Sequence, residues 1–100
     1  AKRKRLIYRS KQRGWLEVDL LLGSWAAANV PTLSETQLEE YNLLLEEETI
    51  DIFNFVSGKD ALPAHLENLS IIPVIKEYAY SAQINSPLRY AEIKEKANLT

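Results

Sequence analysis

The sequence predicts an all-α protein, a small compact bundle of about five short helices with a weakly structured C-terminal tail. Apolar residues recur at helical spacing, capping residues, glycine or proline separate these segments, and no segment offers a convincing partner strand. A chain of 100 residues is enough for one domain with a small core. We expect the bundle, with its basic N-terminal arm, over residues 1–83 and a partly disordered tail over 84–100.

The first two predicted helices meet at Gly14. Residues 2–12 place Leu6 and Ile7 on a basic background, which is typical of a short amphipathic helix that the glycine ends. Residues 15–29 form the strongest helix, and apolar residues cover so much of its circumference that it belongs in the middle of a bundle. Its main apolar face consists of Val18, Leu21, Leu22 and Trp25, extended by Leu16 and Leu20.

The third helix has the clearest start. After a stop at Val30-Pro31-Thr32, Ser34 is an N-cap, and Gln37 three residues later completes a capping box. Leu33 and Leu38 fit the flanking hydrophobic staple. We expect this helix to run to about Glu48, with Leu38, Tyr41, Leu44 and Leu45 facing the core and Glu39, Glu40, Glu46 and Glu47 facing water.

The fourth segment admits two interpretations. Thr49 can cap a short helix over residues 50–57 that Gly58 closes. The same residues also alternate in hydrophobicity like a strand. Because the chain offers no convincing partner strand, we predict a helix.

Prolines mark the starts of the remaining elements. Pro63 suits the first position of a short turn that ends at Leu69. Pro73 has the same place in a helix of about 73–83, and a weak helix follows over 86–97. The side chains expected to face inward on the helix of 73–83 are those of Val74, Ile75, Tyr78 and Ala82.

Composition argues against several classes of function. Cysteine is absent, which excludes disulfides, thiolate nucleophiles and cysteine-type zinc sites. The three glycines cannot build a dinucleotide fingerprint or a phosphate-binding loop, and the serines lack a nearby His–acid partnership. The single histidine, His65, is interpreted as a surface or capping residue. No apolar run is long enough to span a bilayer, and we expect no membrane insertion.

Charge is unevenly distributed along the chain. Residues 1–13 contain seven Lys and Arg and no acid, whereas residues 14–100 contain five basic and fourteen acidic side chains, a balance of −9. Such an asymmetry usually steers a protein toward a charged partner. The basic arm, with Tyr8 and Trp15, could bind phosphates and stack bases, but the acidic body would repel a long polyanion. We therefore expect no nucleic-acid partner.

The most informative motif is Arg13-Gly14-Trp15-Leu16-Glu17. Glycine suits a sharp corner between helices, and an arginine and a glutamate at that corner can bind a partner surface through charged hydrogen bonds. The spacing alone also fits a simple helix stop with a solvated cation and a first-turn acid. The motif by itself does not separate these two interpretations.

Residues 5–26 and 44–55 together resemble the succinate dehydrogenase assembly factor 2 family, the flavinylation factors of mitochondria and bacteria. The hallmark of that family is an Arg-Gly-x-x-Glu element between two helices. Ile50 stands where proline is common and Phe55 where tryptophan is common, and both keep apolar bulk. The likeness covers roughly residues 5–80. It is carried by Arg13, Gly14 and Glu17, by Leu20-Leu21-Leu22, and by Leu44-Leu45-Glu46 and Asp51-Ile52-Phe53-Asn54-Phe55.

The resemblance implies a small all-helical chaperone of the mitochondrial matrix that is monomeric when free. It would bind the flavoprotein subunit of succinate dehydrogenase and promote covalent attachment of FAD to a histidine of that subunit. The chemistry would belong to the client and its flavin, so the chain would be no enzyme and would bind no cofactor itself.

The resemblance also implies roles for particular residues. Gly14 makes the corner, where a side chain is expected to clash with or misdirect the loop. Arg13 and Glu17 would present the paired charges to the client. The further candidates, on the same surface or supporting it, are Arg9, Asp19, Asp51 and Phe53.

Two other classes of function, a flavin-attaching transferase and a helical adaptor, make different demands on the chain. A transferase that attaches flavin itself would need its own flavin site and would turn over at substoichiometric amounts. A generic helical adaptor would have a different client protein. The search for catalytic groups in the sequence finds none, which favours the chaperone.

Overall fold

The computed structural model describes residues 2–82, which form five α-helices and, among themselves, no strand. The all-α prediction is confirmed for this part of the chain. The predicted helix over 86–97 and tail over 84–100, and the inward side chain of Ala82, lie outside what the structure describes. The helices are α1 (Lys2–Lys11), α2 (Leu16–Asn29), α3 (Glu35–Leu45), α4 (Thr49–Val56) and α5 (Ile71–Ala82), with a 3-10 turn, η1 (Val30–Thr32), after α2.

The second helix is the centre of the bundle, as its apolar circumference predicts. Residues 20–26 are all buried, and α2 packs against both α1 and α5. The exception is Leu16 in its first turn, whose side chain is 56% exposed. The core around this helix is one continuous cluster with members from every α-helix and from the turn before α5.

Helix α1 attaches to α3 through a buried polar pair. The hydroxyl of Ser10 donates to the carbonyl of Leu6 at 2.7 Å and lies 2.5 Å from the hydroxyl of Tyr41. Because the serine proton is used within its own helix, the tyrosine donates to the serine oxygen. Leu6 is buried beside this pair and Ile7 packs against the core, as predicted.

Helix α3 begins as the sequence predicts and ends earlier. Ser34 and Gln37 form the complete reciprocal capping box, and Leu38 is buried. The helix stops at Leu45 rather than near Glu48, because Glu48 adopts an extended conformation that starts α4. The predicted core residues Tyr41, Leu44 and Leu45 are all buried.

The fourth segment is a helix, so the strand alternative is wrong for it. Its buried residues Ile52, Phe55 and Val56 follow helical spacing, whereas Ile50 is 48% exposed. Gly58 ends the helix at φ 82°, and the amides of residues 58 and 59 bond back to residues 55 and 54, a Schellman motif. The predicted cap was wrong: Glu48 is the N-cap, without a side-chain bond, and Thr49 is the first helical residue.

A turn over residues 64–68 leads into α5, which begins two residues before Pro73. Proline is tolerated there because amides in the first turn of a helix have no partner within the helix. Glu40 of α3 caps this end instead, accepting from the Ser70 hydroxyl at 2.7 Å and the Ile71 amide at 3.3 Å. The inward prediction for Val74 was wrong, because its side chain is 51% exposed.

Candidate functional site

The α1–α2 corner consists of residues 12–15, between the last residue of α1 and the first of α2. Gly14 has φ 93°, in the left-handed region that side chains rarely adopt. The amide of Arg13 donates to the carboxylate of Asp19 at 2.6 Å, so a side chain from the start of α2 binds the backbone of the corner. Asp19, a candidate from the sequence, therefore supports the shape of this corner.

The predicted clash at Gly14 is absent. A β-carbon added at this position would meet nothing within 4 Å. The need for glycine therefore comes from the backbone conformation alone, which costs other residues about 1–2 kcal/mol. The space above the glycine is open, and Gly14 is itself exposed.

Arg13 makes three hydrogen bonds to residues that are far from it in sequence. Its guanidinium donates to the carbonyl of Leu45 at 2.8 Å and to that of Glu47 at 2.6 Å. The hydroxyl of Thr49 in turn donates to the carbonyl of Arg13 at 3.3 Å. The arginine thus joins the corner to the loop between α3 and α4, and its cation is only partly free to meet a partner.

The surroundings of Arg13 are unfavourable to its charge. Burial of the guanidinium, and after that the nearby charge of Arg9, lower the pKa of Arg13 below its ordinary value. Arginine nevertheless stays protonated at neutral pH. The Nε atom of Arg13 is buried and has no hydrogen-bond partner among the described residues. Two backbone carbonyls hold the guanidinium in place of a direct ion pair, and the charges of Asp19 and Glu46 only partly offset the effect of burial.

Arg9 lies on the same side of the corner, so this candidate does adjoin Arg13. Its guanidinium donates to the side-chain oxygen of Asn42 at 2.6 Å. The carboxylate of Glu46 is 3.9 Å from the guanidinium, and the glutamate side chain is 63% exposed. An ion pair of this length and exposure contributes little to stability.

The remaining candidates lie on the start of α2 and on α4. Glu17 is in the first turn of α2 and half-buried, and its side chain has no hydrogen bond or ion pair within residues 2–82. Phe53 packs on Trp15 of the corner, with ring centroids 4.7 Å apart. Asp51 lies in the first turn of α4 without a bonded partner in the described chain. The ring contact brings the second sequence block beside the first.

Three exposed large hydrophobic side chains on the same elements were not among the client-binding residues predicted from the sequence. Leu16 follows the corner, Ile50 is in the first turn of α4, and Tyr8 is 61% exposed on α1. The signal for Leu16 was present, since it lies beyond the main apolar face of α2. The exposure of Ile50 could not be predicted in this way, because it depends on which face of α4 packs against the rest of the bundle.

His65 is exposed, as expected, and contacts the loop between α3 and α4 that also binds Arg13. Its Nε2 atom lies 3.2 Å from a carboxylate oxygen of Glu47, the residue whose carbonyl accepts from Arg13. No group of three or more metal-binding side chains occurs within residues 2–82. None of the five helices is long and apolar enough to cross a membrane.

Comparison with known proteins finds a family. The family model described as flavinator of succinate dehydrogenase matches residues 4–79. A relative from Dictyostelium discoideum is 43% identical over 88 residues, which are 88% of this chain and 59% of the relative. One from Caenorhabditis elegans is 39% identical, covering 78% of this chain and 67% of the relative. One from Saccharomyces cerevisiae strain S288c is 36% identical, covering 99% and 56%.

All three relatives carry the name mitochondrial succinate dehydrogenase assembly factor 2. The chain spans between about half and two thirds of their length. No solved structure gives a significant match. The family model runs from within α1 to within α5 and includes Arg13 and Gly14 of the corner and Glu17 of α2. The chain belongs to the family of flavinators of succinate dehydrogenase.

Proposed function

We propose that this chain is an assembly chaperone that binds the flavoprotein subunit of succinate dehydrogenase and promotes covalent attachment of FAD to it. Family membership supports the client, and the names of the relatives support action in mitochondria, which we place in the matrix as part of this proposal. The observation that carries the proposal is the corner itself. Its residues Gln12 and Gly14 are exposed, bonds of Arg13 to Asp19 and to two carbonyls hold its shape, and exposed apolar and charged side chains adjoin it.

The proposed mechanism is conformational. The chain would bind the client in the geometry in which the client histidine meets the flavin methyl group. Only a binder that prefers this geometry can shift the client toward it. The bond-forming chemistry would then belong to the flavin and its own protein, with no flavin bound by the chaperone alone.

The geometry divides the labour among the candidate residues. Arg13 and Asp19 act mainly on the shape of the corner, because both are bonded within the chain. Glu17 has its carboxylate available to the client, and Leu16 offers exposed apolar surface next to it. Gly14 permits the backbone conformation of the corner from which α2, with these two side chains in its first turn, begins.

The first test separates contact from shape. Glu17→Gln removes a charge and no internal side-chain bond, so we expect the free energy of unfolding to fall by no more than about 0.5 kcal/mol and binding to the flavoprotein subunit to weaken about tenfold. Glu39→Gln, an exposed glutamate on α3, is the matched control and keeps full affinity. Affinity is measured by titration calorimetry, and attachment by covalent flavin fluorescence of the denatured client.

Gly14→Ala adds a test of the corner. We expect it to cost about 1–2 kcal/mol in the free energy of unfolding, since only backbone strain opposes it, and to weaken client binding while the chain stays folded. Normal binding and normal flavin attachment with both folded variants would contradict the proposal. Attachment by substoichiometric amounts of the chain, with flavin captured by the chain alone, would favour a transferase.

A further inference from the structure

A shallow depression of about 360 Å³ lies beside the corner, between the last turns of α1 and the start of α4. It is lined by the side chains of Tyr8, Arg9, Gln12, Arg13 and Thr49. Two of the five lining residues carry a positive charge and none carries a negative one. Because no acidic side chain lines the depression to balance these two positive charges, a bound anion could do so.

Both guanidinium groups are positioned by uncharged acceptors. Arg13 donates to two backbone carbonyls, and Arg9 donates to the amide oxygen of Asn42. Within the described residues, the one direct ion pair of either guanidinium is that of Arg9 with the exposed Glu46 at 3.9 Å, and the charges of Asp19 and Glu46 act on Arg13 without a direct ion pair. Each terminal guanidinium nitrogen carries two N–H groups, so donors remain after these bonds are made. The two arginines are thus oriented in advance and keep capacity to bind.

The two cations also oppose each other. The charge of Arg9 acts, after burial, to lower the pKa of Arg13. An anion bound between them would offset this repulsion and use the free N–H groups at once. The phenol of Tyr8 and the amide of Gln12 supply further hydrogen-bond donors on the rim.

We propose that this depression is a carboxylate-binding site. A carboxylate matches the planar fork of a guanidinium, and it can accept from Arg9 and Arg13 together. The carboxylate can come from an acidic side chain of the flavoprotein client or from a small free carboxylate. The first source rests on the proposed function, and the second does not.

The site is tested on the chain alone, with acetate as the probe and chloride at equal ionic strength as the reference. We expect acetate to give saturable NMR shifts in the amide signals of Arg13, Gly14 and Thr49, and chloride to give none. Arg9→Gln weakens the apparent affinity about tenfold. Arg5→Gln removes the same charge from an exposed position of α1 outside the depression and leaves the affinity unchanged. Shifts that do not saturate, that chloride reproduces, or that survive Arg9→Gln would overturn the proposal.

A second experiment identifies the source of the carboxylate. If it belongs to the client, acetate weakens client binding by the unaltered chain, and binding by Arg9→Gln is weaker and insensitive to acetate. If it is a free molecule, acetate leaves client binding undiminished. A chain that binds acetate as described but not the flavoprotein subunit would contradict the proposed function and leave the carboxylate site standing.

Discussion

Tyr41 shows how a single buried hydroxyl connects two helices. Its side chain is fully buried in α3, packs against the ring of Trp25 at a tilt with centroids 5.1 Å apart, and donates a hydrogen bond to Ser10 of α1. Burial raises the pKa of Tyr41 above its ordinary value of 10.0. The neutral form is the one the fold favours, so ionisation of this residue opposes folding.

Stability should therefore fall in alkaline solution through Tyr41. The stabilisation is complete below the ordinary pKa and is lost as pH rises from about 10 toward the higher folded pKa. Tyr41→Phe costs about 1 kcal/mol at neutral pH by removing the buried hydrogen bond, and it makes the alkaline decline shallower. Urea midpoints from about pH 8 to about pH 11 measure both effects.

Tyr8→Phe, at an exposed position, is the control and should decline like the unaltered chain. An identical alkaline slope with and without the Tyr41 hydroxyl would contradict this account.

At the residue scale, the sequence predicted local features well. Gly14 as a corner, Ser34 as a cap and Trp25 as core all follow from short-range spacing and are confirmed. The bonds of Arg13 could not be predicted, because their acceptors are carbonyls 32 and 34 residues away. A carbonyl belongs to every residue type, so no pattern of side chains marks it in advance.

At the element scale, the basic first helix is also structural. Besides Arg9 and Arg13, Arg3 donates to the carbonyls of Val30 and Leu33, both at 2.7 Å, where α2 gives way to α3. The charge pattern suggested only steering of a partner. The structure adds that Arg3 and Arg13 donate to backbone carbonyls where α2 and α3 end, whereas Arg9 donates to the side chain of Asn42 within α3.

Element boundaries were the weaker part of the prediction for a related reason. Helix α3 ends early and α5 begins early, and in each case a distant side chain lies at that boundary. The guanidinium of Arg13 donates to the carbonyl of Leu45, and the carboxylate of Glu40 accepts from the amide of Ile71. Local rules describe what a segment prefers, whereas the final turn of a helix follows whichever partner is nearby.

Glu40 gives a direct test of this interhelical cap. Glu40→Ala removes the acceptor for Ser70 and Ile71, and we expect a loss of about 1 kcal/mol in the free energy of unfolding, as for other N-caps. Glu39→Ala makes the same change in helix propensity at the exposed neighbouring position and should stay within about 0.5 kcal/mol.

Urea denaturation followed by far-UV circular dichroism measures both variants. Equal losses for the two alanine variants would show that the cap contributes nothing.

At the scale of the whole molecule, one continuous core predicts one cooperative unit. All five helices contribute to the same buried cluster, and Trp15 of the corner packs against it. The two tryptophans report on different places, since Trp15 is half-buried at the corner and Trp25 is 2% exposed at the centre. Small domains with a single core usually unfold in one step.

Single-tryptophan variants check this cooperativity. Trp15→Phe leaves the central reporter, and Trp25→Phe leaves the corner reporter at some cost in core packing. In each variant, we expect the fluorescence transition in urea to coincide with the loss of helical circular dichroism. A corner signal that changes at lower urea than the helices would show that the corner opens separately, against the proposed rigidity.

The bonds of Arg13 also have a consequence for the order of events during synthesis. The five-residue motif leaves the ribosome before the carbonyls that hold its arginine, which are made more than 30 residues later. Closing so long a loop precedes any stabilisation from these bonds. An incomplete or misfolded chain would contain all five residues of the motif but would not hold them in this conformation. Recognition of the partner would thereby act as a maturity check, admitting only chaperone molecules that have finished folding.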